Sequence, residues 1–216
     1  VSVGLSWKEE LVRLAEPADG RVPHAFKAHH AAVALIMIGR QQPLGRYELC
    51  QNMSIGEGSA RTLLKRLTED EYTNADGKQG QKLTQKGRTL FGQLTRDIPL
   101  GLFLDVPRLV MYEYAYANLV KNRAQKVNDG IRQRDEAIIQ GGYGKAGATT
   151  LTYKGGMLTM PPGSFDILSE YGDEVVLVID SLKPEEADVV VIGSATDANV
   201  AREVSMAAVM TLFEVE

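Results

Sequence analysis

The 216-residue chain is 44% hydrophobic and 24% charged, with a net charge of −4, a composition that fits a globular protein and excludes collagen-like or low-complexity classes. Its longest apolar run, residues 31–38, is far short of the roughly 20 residues that span a bilayer, and its one cysteine, Cys50, excludes an intramolecular disulfide. Val1-Ser2-Val3-Gly4 shows no charged, apolar and cleavable leader, so a cytoplasmic location without a membrane partner is the default expectation.

The charge is uneven. Residues 1–96 hold 14 Lys and Arg against 10 Asp and Glu, whereas residues 97–216 hold 10 against 18. A polyanionic partner is therefore expected to meet the first part of the chain.

In chain order, Ser6 is placed to cap a short helix over Trp7 to Ala15, which ends before Pro17. A second, apolar helix is expected from about Phe26 to Arg40, closed by Pro43 and Gly45. A short helix follows near Arg46, then a turn with Gly56 and Gly58, expected to need backbone angles that only glycine tolerates. In the next helix Ala60, Leu63, Leu64 and Leu67 fall at i, i+3, i+4 and i+7, one apolar stripe that leaves Ser59, Arg61, Thr62, Lys65 and Arg66 facing outward. Tyr72 to Asn74 and Gln81 to Leu83 read as two strands of a wing around an Asp76-Gly77 turn, and Thr84 caps a helix through Leu94. Together these elements predict a winged helix-turn-helix.

Pro99, Gly101 and Pro107 mark 97–107 as a linker. Beyond it, Leu109 to Val120 reads partly as strand and Asp129 to Gln140 as helix. The run from Ala148 to Met160, broken by Gly155-Gly156, is a hairpin. Asp173 to Leu182 fits helix better than strand. Asp188 to Gly193 is a buried strand, and Asn199 to Phe213 an amphipathic helix. The expected fold class is α+β: an N-terminal winged helix in residues 1–96, with its core in 26–94, and a small α+β sandwich in 108–216 with helices packed on one sheet.

A helix fits the major groove of B-DNA, where Arg61 is placed for bidentate guanine contact. Ser59, Thr62, Lys65 and Arg66 extend that face toward bases and phosphates, with Arg46, Tyr47, Lys78 and Lys82 on the backbone. The alternative is a solvated basic face used for protein contacts. A second candidate is Ser194, Thr196, Asp197, Asn199 and Arg202, where a strand-to-helix turn offers amides to a small anionic effector. Its plain alternative is an N-cap. Gly141 to Gly147 lacks the hydroxyl residue of a phosphate-binding loop and reads as a turn. His24, His29 and His30 lack metal-ligand spacing, Cys50 reads as a core residue, and no motif implies a cofactor or a catalytic group.

Pro43-Leu44-Gly45-Arg46-Tyr47, Ile55-Gly56-Glu57-Gly58 and Arg61-Thr62-Leu63-Leu64 resemble an archaeal family of uncharacterised winged-helix proteins with a C-terminal domain of unknown function. Gln133 to Ala137, Gly147 to Leu151 and Asp188 to Ala195 resemble segments of that second domain. The resemblance implies a transcriptional regulator of unknown effector and assigns no catalytic residue. Glu69-Asp70-Glu71 departs from a strongly basic DNA reader. The expected function is thus DNA-binding regulation, with the second domain dimerising the protein or sensing an effector. The alternatives are a metabolic enzyme domain for a phosphorylated small molecule fused to a winged helix, or a protein-interaction module.

Overall fold

A computed structural model describes residues 5–17, 25–77, 79–163 and 165–214. His24 and Lys78 lie outside the described residues. The chain divides into two compact units, residues 1–95 and 96–216. No helix among the described residues is long and apolar enough to cross a membrane.

In the first unit, α1 (Trp7–Ala15) starts at Ser6, whose hydroxyl accepts from the Glu9 amide while the Glu9 carboxylate accepts from the Ser6 amide. This reciprocal cap satisfies two donors that a helix start otherwise leaves open. Trp7, Leu11 and Leu14 are buried along one side of α1, which packs on α2 (Ala28–Gln41). After α2, Leu44 exchanges both backbone hydrogen bonds with Gln81. The short α3 (Arg46–Gln51) leads to α4 (Glu57–Glu69), in which Ala60, Leu63, Leu64 and Leu67 are all buried, as the stripe requires.

β1 (Thr73–Ala75) and β2 (Gln81–Leu83) pair antiparallel. Thr84 Oγ1 accepts from the Gly87 amide at the head of α5 (Gln85–Asp97). Tyr72, fully buried before β1, donates its hydroxyl proton to the Glu10 carboxylate of α1. The glycine expectation fails at the turn before α4. Gly56 has φ −64° as the N-cap, Gly58 lies inside the helix, and a Cβ at either would meet nothing within 4 Å. Neither a positive φ nor a packed neighbour requires glycine there; the effect is a bare helix start.

The second unit is a six-stranded sheet in the order β3-β4-β8-β5-β6-β7, with every pairing antiparallel. Its strands are β3 (Leu100–Phe103), β4 (Tyr114–Val120), β5 (Ala146–Lys154), β6 (Met157–Met160), β7 (Phe165–Asp166) and β8 (Val189–Ala195). The segment expected as a linker therefore contains an edge strand, with Leu100 opposite Leu119. Gly155 and Gly156 take φ +59° and +82° and close the β5–β6 hairpin, the handedness that a two-residue turn needs.

β8 is the central strand, and all seven of its residues are buried. Its alternation places Val190 and Ile192 in one core with Val175, Val178 and Leu182 of α7 (Leu168–Leu182). On the opposite face Gly193 lies against Ser205 of α8 (Ala198–Met210), beside α6 (Ile131–Gly141). Helices thus cover both faces of the sheet.

Candidate nucleic-acid interface

The first unit carries an open groove of about 630 Å³ whose lining includes Arg46, Tyr47, Arg61, Lys65, Glu69 and Gln81. It lies where α3, α4 and the β1–β2 hairpin meet. Tyr47 is 76% exposed, and Arg61 and Lys65 expose 64% and 71% of their side chains. Four of the expected DNA-contacting residues therefore converge.

The others do not, and helical geometry explains why. At about 100° per residue, Lys65 is displaced by roughly 40° from Arg61, but Thr62 by roughly 100°, Arg66 by roughly 140° and Ser59 by roughly 160°. The Thr62 hydroxyl is turned back to the Gly58 carbonyl at 3.0 Å. Arg66 is half-buried, with its Nε enclosed and without a hydrogen-bond partner among the described residues. Its expected place on the outer face is corrected accordingly. Lys82 belongs to the opposite side of the hairpin from Gln81, because successive strand residues alternate; it lines a different cleft with Asn74 and Arg88.

Arg46, Arg61 and Lys65 each have a carboxylate neighbour on this face. One oxygen of Glu57 lies 3.2 Å from Arg46 and 3.4 Å from Arg61. Lys65 pairs with Glu69 at 3.5 Å, and Lys82 with Asp76 at 2.6 Å. Glu57 and Gln81 join this face in addition to the residues expected there. The i,i+4 spacing of Glu57 and Arg61 was visible in the sequence, whereas the approach of Arg46 to the same carboxylate depends on how α3 packs beside α4.

The second candidate site does not assemble. β8 is antiparallel to both neighbours, so its end forms no crevice of the kind that parallel strands open to a ligand. Ser194 is 2% exposed within the strand. The Asp197 carboxylate accepts from the Asn199 and Val200 amides, so it occupies the start of α8 as an N-cap. The Arg202 guanidinium lies over the Phe103 and Tyr116 rings. Thr196 is exposed and its amide donates to the Lys145 carbonyl. These contacts fit the plain N-cap reading of Asp197. Among the described residues, no group of three or more His, Cys, Asp or Glu could hold a metal ion. Cys50 is half-buried rather than a core residue.

Two family models match the chain. Residues 31–95 match the PH0730-like N-terminal domain, and residues 111–212 match a domain of unknown function, DUF4443. A search of curated proteins found no match. Among solved structures, the hypothetical protein PH0730 from Pyrococcus horikoshii OT3 shares the fold, with a TM-score of 0.69 and 24% identity, over 86% of this chain and 92% of that one. The two domain matches follow one another along the chain, one in each compact unit.

Proposed function

We propose that the first unit is a winged helix that binds duplex DNA, within a transcriptional regulator whose second unit joins two copies. On this reading α4 is the recognition helix, the β1–β2 hairpin is the wing, and α2 and α3 are the supporting helices. The observation that carries it is the convergence of Arg46, Tyr47, Arg61 and Lys65 on one open groove beside the hairpin. The order α2, α3, α4, β1, β2, with the Leu44–Gln81 bridge, is the arrangement such a module needs. The bare start of α4 favours the same reading, since no side chain at Gly56 or Gly58 keeps a nucleic acid from the helix backbone.

Fluorescence anisotropy with mixed-sequence duplex DNA tests the proposal. If Arg46 and Lys65 of each of the two copies neutralise one phosphate apiece while Arg61 meets a base edge, raising salt from 50 to 200 mM should weaken binding about 150-fold. Arg61→Ala/Lys65→Ala should abolish most of the affinity and lower the salt slope by about two. Absence of binding even at 50 mM salt would overturn the DNA reading. Sedimentation at tens of micromolar is expected to show a dimer, and a monomer would overturn that part alone.

A further inference from the structure

We infer that Glu57, beside the groove, is a specificity-determining residue that opposes binding by phosphate charge alone and orients Arg61 for base contact. The inference rests on the DNA-binding reading above and adds a role that its basic residues do not supply.

Glu57 is the first residue of α4, and its carboxylate pairs with two residues that line the groove, Arg46 and Arg61. It is 63% exposed, so it is held there by neither burial nor core packing. An acidic residue at a helix start is favoured by the helix dipole, which explains its presence there but not its place between two guanidinium groups. Its Oε1 is the common neighbour of both guanidinium groups, 3.2 Å from Arg46 and 3.4 Å from Arg61. One carboxylate thus ties α3 to α4 across the groove.

Two consequences follow from charge and geometry. First, Lys65 has a carboxylate of its own, Glu69. Arg46 and Arg61 instead share the one carboxylate of Glu57, two cations to one anion. A phosphate entering the groove meets the Glu57 carboxylate within about two bond lengths of the cations it seeks, and the repulsion cancels much of their attraction. A base edge carries no net charge and meets no such opposition. Its exocyclic amino group, on cytosine or adenine, can donate to Glu57, while Arg61 reaches the acceptors of a neighbouring guanine. Second, a guanidinium tethered to a carboxylate loses fewer rotamers when it docks, so Arg61 is partly positioned before DNA arrives. Glu57 therefore exchanges phosphate affinity for discrimination.

The test compares wild type with Glu57→Gln and Glu48→Gln. The second variant makes the same charge change in the same unit, at an exposed position of α3 two residues from Arg46 and so on roughly the opposite side of that helix. Anisotropy against mixed-sequence duplex should show Glu57→Gln binding about three- to tenfold more tightly, with a steeper salt dependence. Glu48→Gln should stay within about twofold, since a charge outside the contact is screened. In selection from a randomised duplex library, Glu57→Gln should enrich a more degenerate set of sequences than wild type. Thermal melting checks that both variants remain folded. If wild type binds DNA and Glu57→Gln binds equally or more weakly with unchanged discrimination, the assignment of Glu57 is overturned and the DNA reading stands. If neither protein binds duplex at low salt, the DNA reading is overturned and the role of Glu57 falls with it.

Discussion

Gly193→Ala should destabilise the second unit by about 2 kcal/mol, although strands ordinarily prefer alanine to glycine. In an unobstructed strand the replacement would gain roughly 0.5–1 kcal/mol of backbone entropy. At Gly193 the added Cβ would stand 2.4 Å from the Ser205 amide nitrogen and 2.6 Å from its Cα. Those atoms are the backbone of α8, so no side chain can rotate away. Restoring a normal separation requires α8 to move by about 1 Å off the sheet. The helix is held there by the Asn118 amide donating to Ser205 Oγ at 2.8 Å, and by that hydroxyl donating to the Val191 carbonyl at 3.0 Å. Overpacking a core of this kind costs about 1–3 kcal/mol, and a backbone obstacle belongs at the upper end, which leaves a net loss near 2 kcal/mol. Gly147→Ala is the matched control: on neighbouring β5, its Cβ would meet nothing nearer than the Tyr112 ring at 3.7 Å. Urea unfolding followed by far-UV circular dichroism measures both. Amide exchange along β8 assigns the loss to the second unit. A Gly193→Ala protein as stable as wild type, with β8 protection intact, would refute the claim that glycine is there for close helix–strand approach.

Two further outcomes follow from buried polar groups. Glu174, 9% exposed, accepts from the Arg108 and Leu109 amides at 3.0–3.1 Å. Glu174→Ala should cost about 2–3 kcal/mol by leaving amides without an acceptor, with Glu174→Gln costing less; unchanged exchange protection at residues 108 and 109 would contradict this. Burial first, then His30 and Lys27, push the His29 imidazole well below its ordinary value of 6.5. The unfolded chain thus takes up a proton that the folded chain refuses, so stability is full above about pH 6.5 and falls with decreasing pH at up to about 1.4 kcal/mol per unit. Urea midpoints between about pH 6.5 and 5 should flatten in His29→Leu, and parallel profiles for the two proteins would refute the assignment.

What the sequence made legible followed from local rules. The Ser6–Glu9 cap, the stripe through Ala60, Leu63, Leu64 and Leu67, the Thr84 cap and the Gly155-Gly156 hairpin are each set by residues within one turn or one hairpin of each other. What it concealed depends on distant partners. Leu100 to Phe103 sit between prolines and contain a glycine, so they read as a break; they are a strand because Leu119 to Tyr116 offer them a register. α7 begins at Leu168, earlier than Asp173, because the helix continues through a non-helical Tyr171. That irregularity and Gly172 hid its first turn. Ser194 to Arg202 invited an anion site because a strand leading into a helix looks the same locally whether its sheet is parallel or antiparallel. Only the pairing of β8 with β4 and β5 excludes the crevice.

The same dependence on packing bears on how the groove would work. Read as a string, Arg46, Arg61, Lys65, Arg66, Lys78 and Lys82 are six cations available to DNA. In the fold Arg66 is half-buried, Lys82 faces another cleft, Lys78 lies outside the described residues, and the three that remain share the face with Glu57 and Glu69. Breaking exposed ion pairs is not the obstacle, since such pairs are worth under about 1 kcal/mol. The obstacle is that the carboxylates stay in the groove once the cations turn to phosphate, so a net surplus of one charge drives the encounter. A single copy would then bind weakly and release few counterions. Two copies joined through their second units would convert the second contact into a local one and multiply affinity without adding any charge to the face. A weakly charged reader held in pairs gains its affinity from spacing and its selectivity from groups such as Glu57, which is the arrangement that the proposed function requires of this chain.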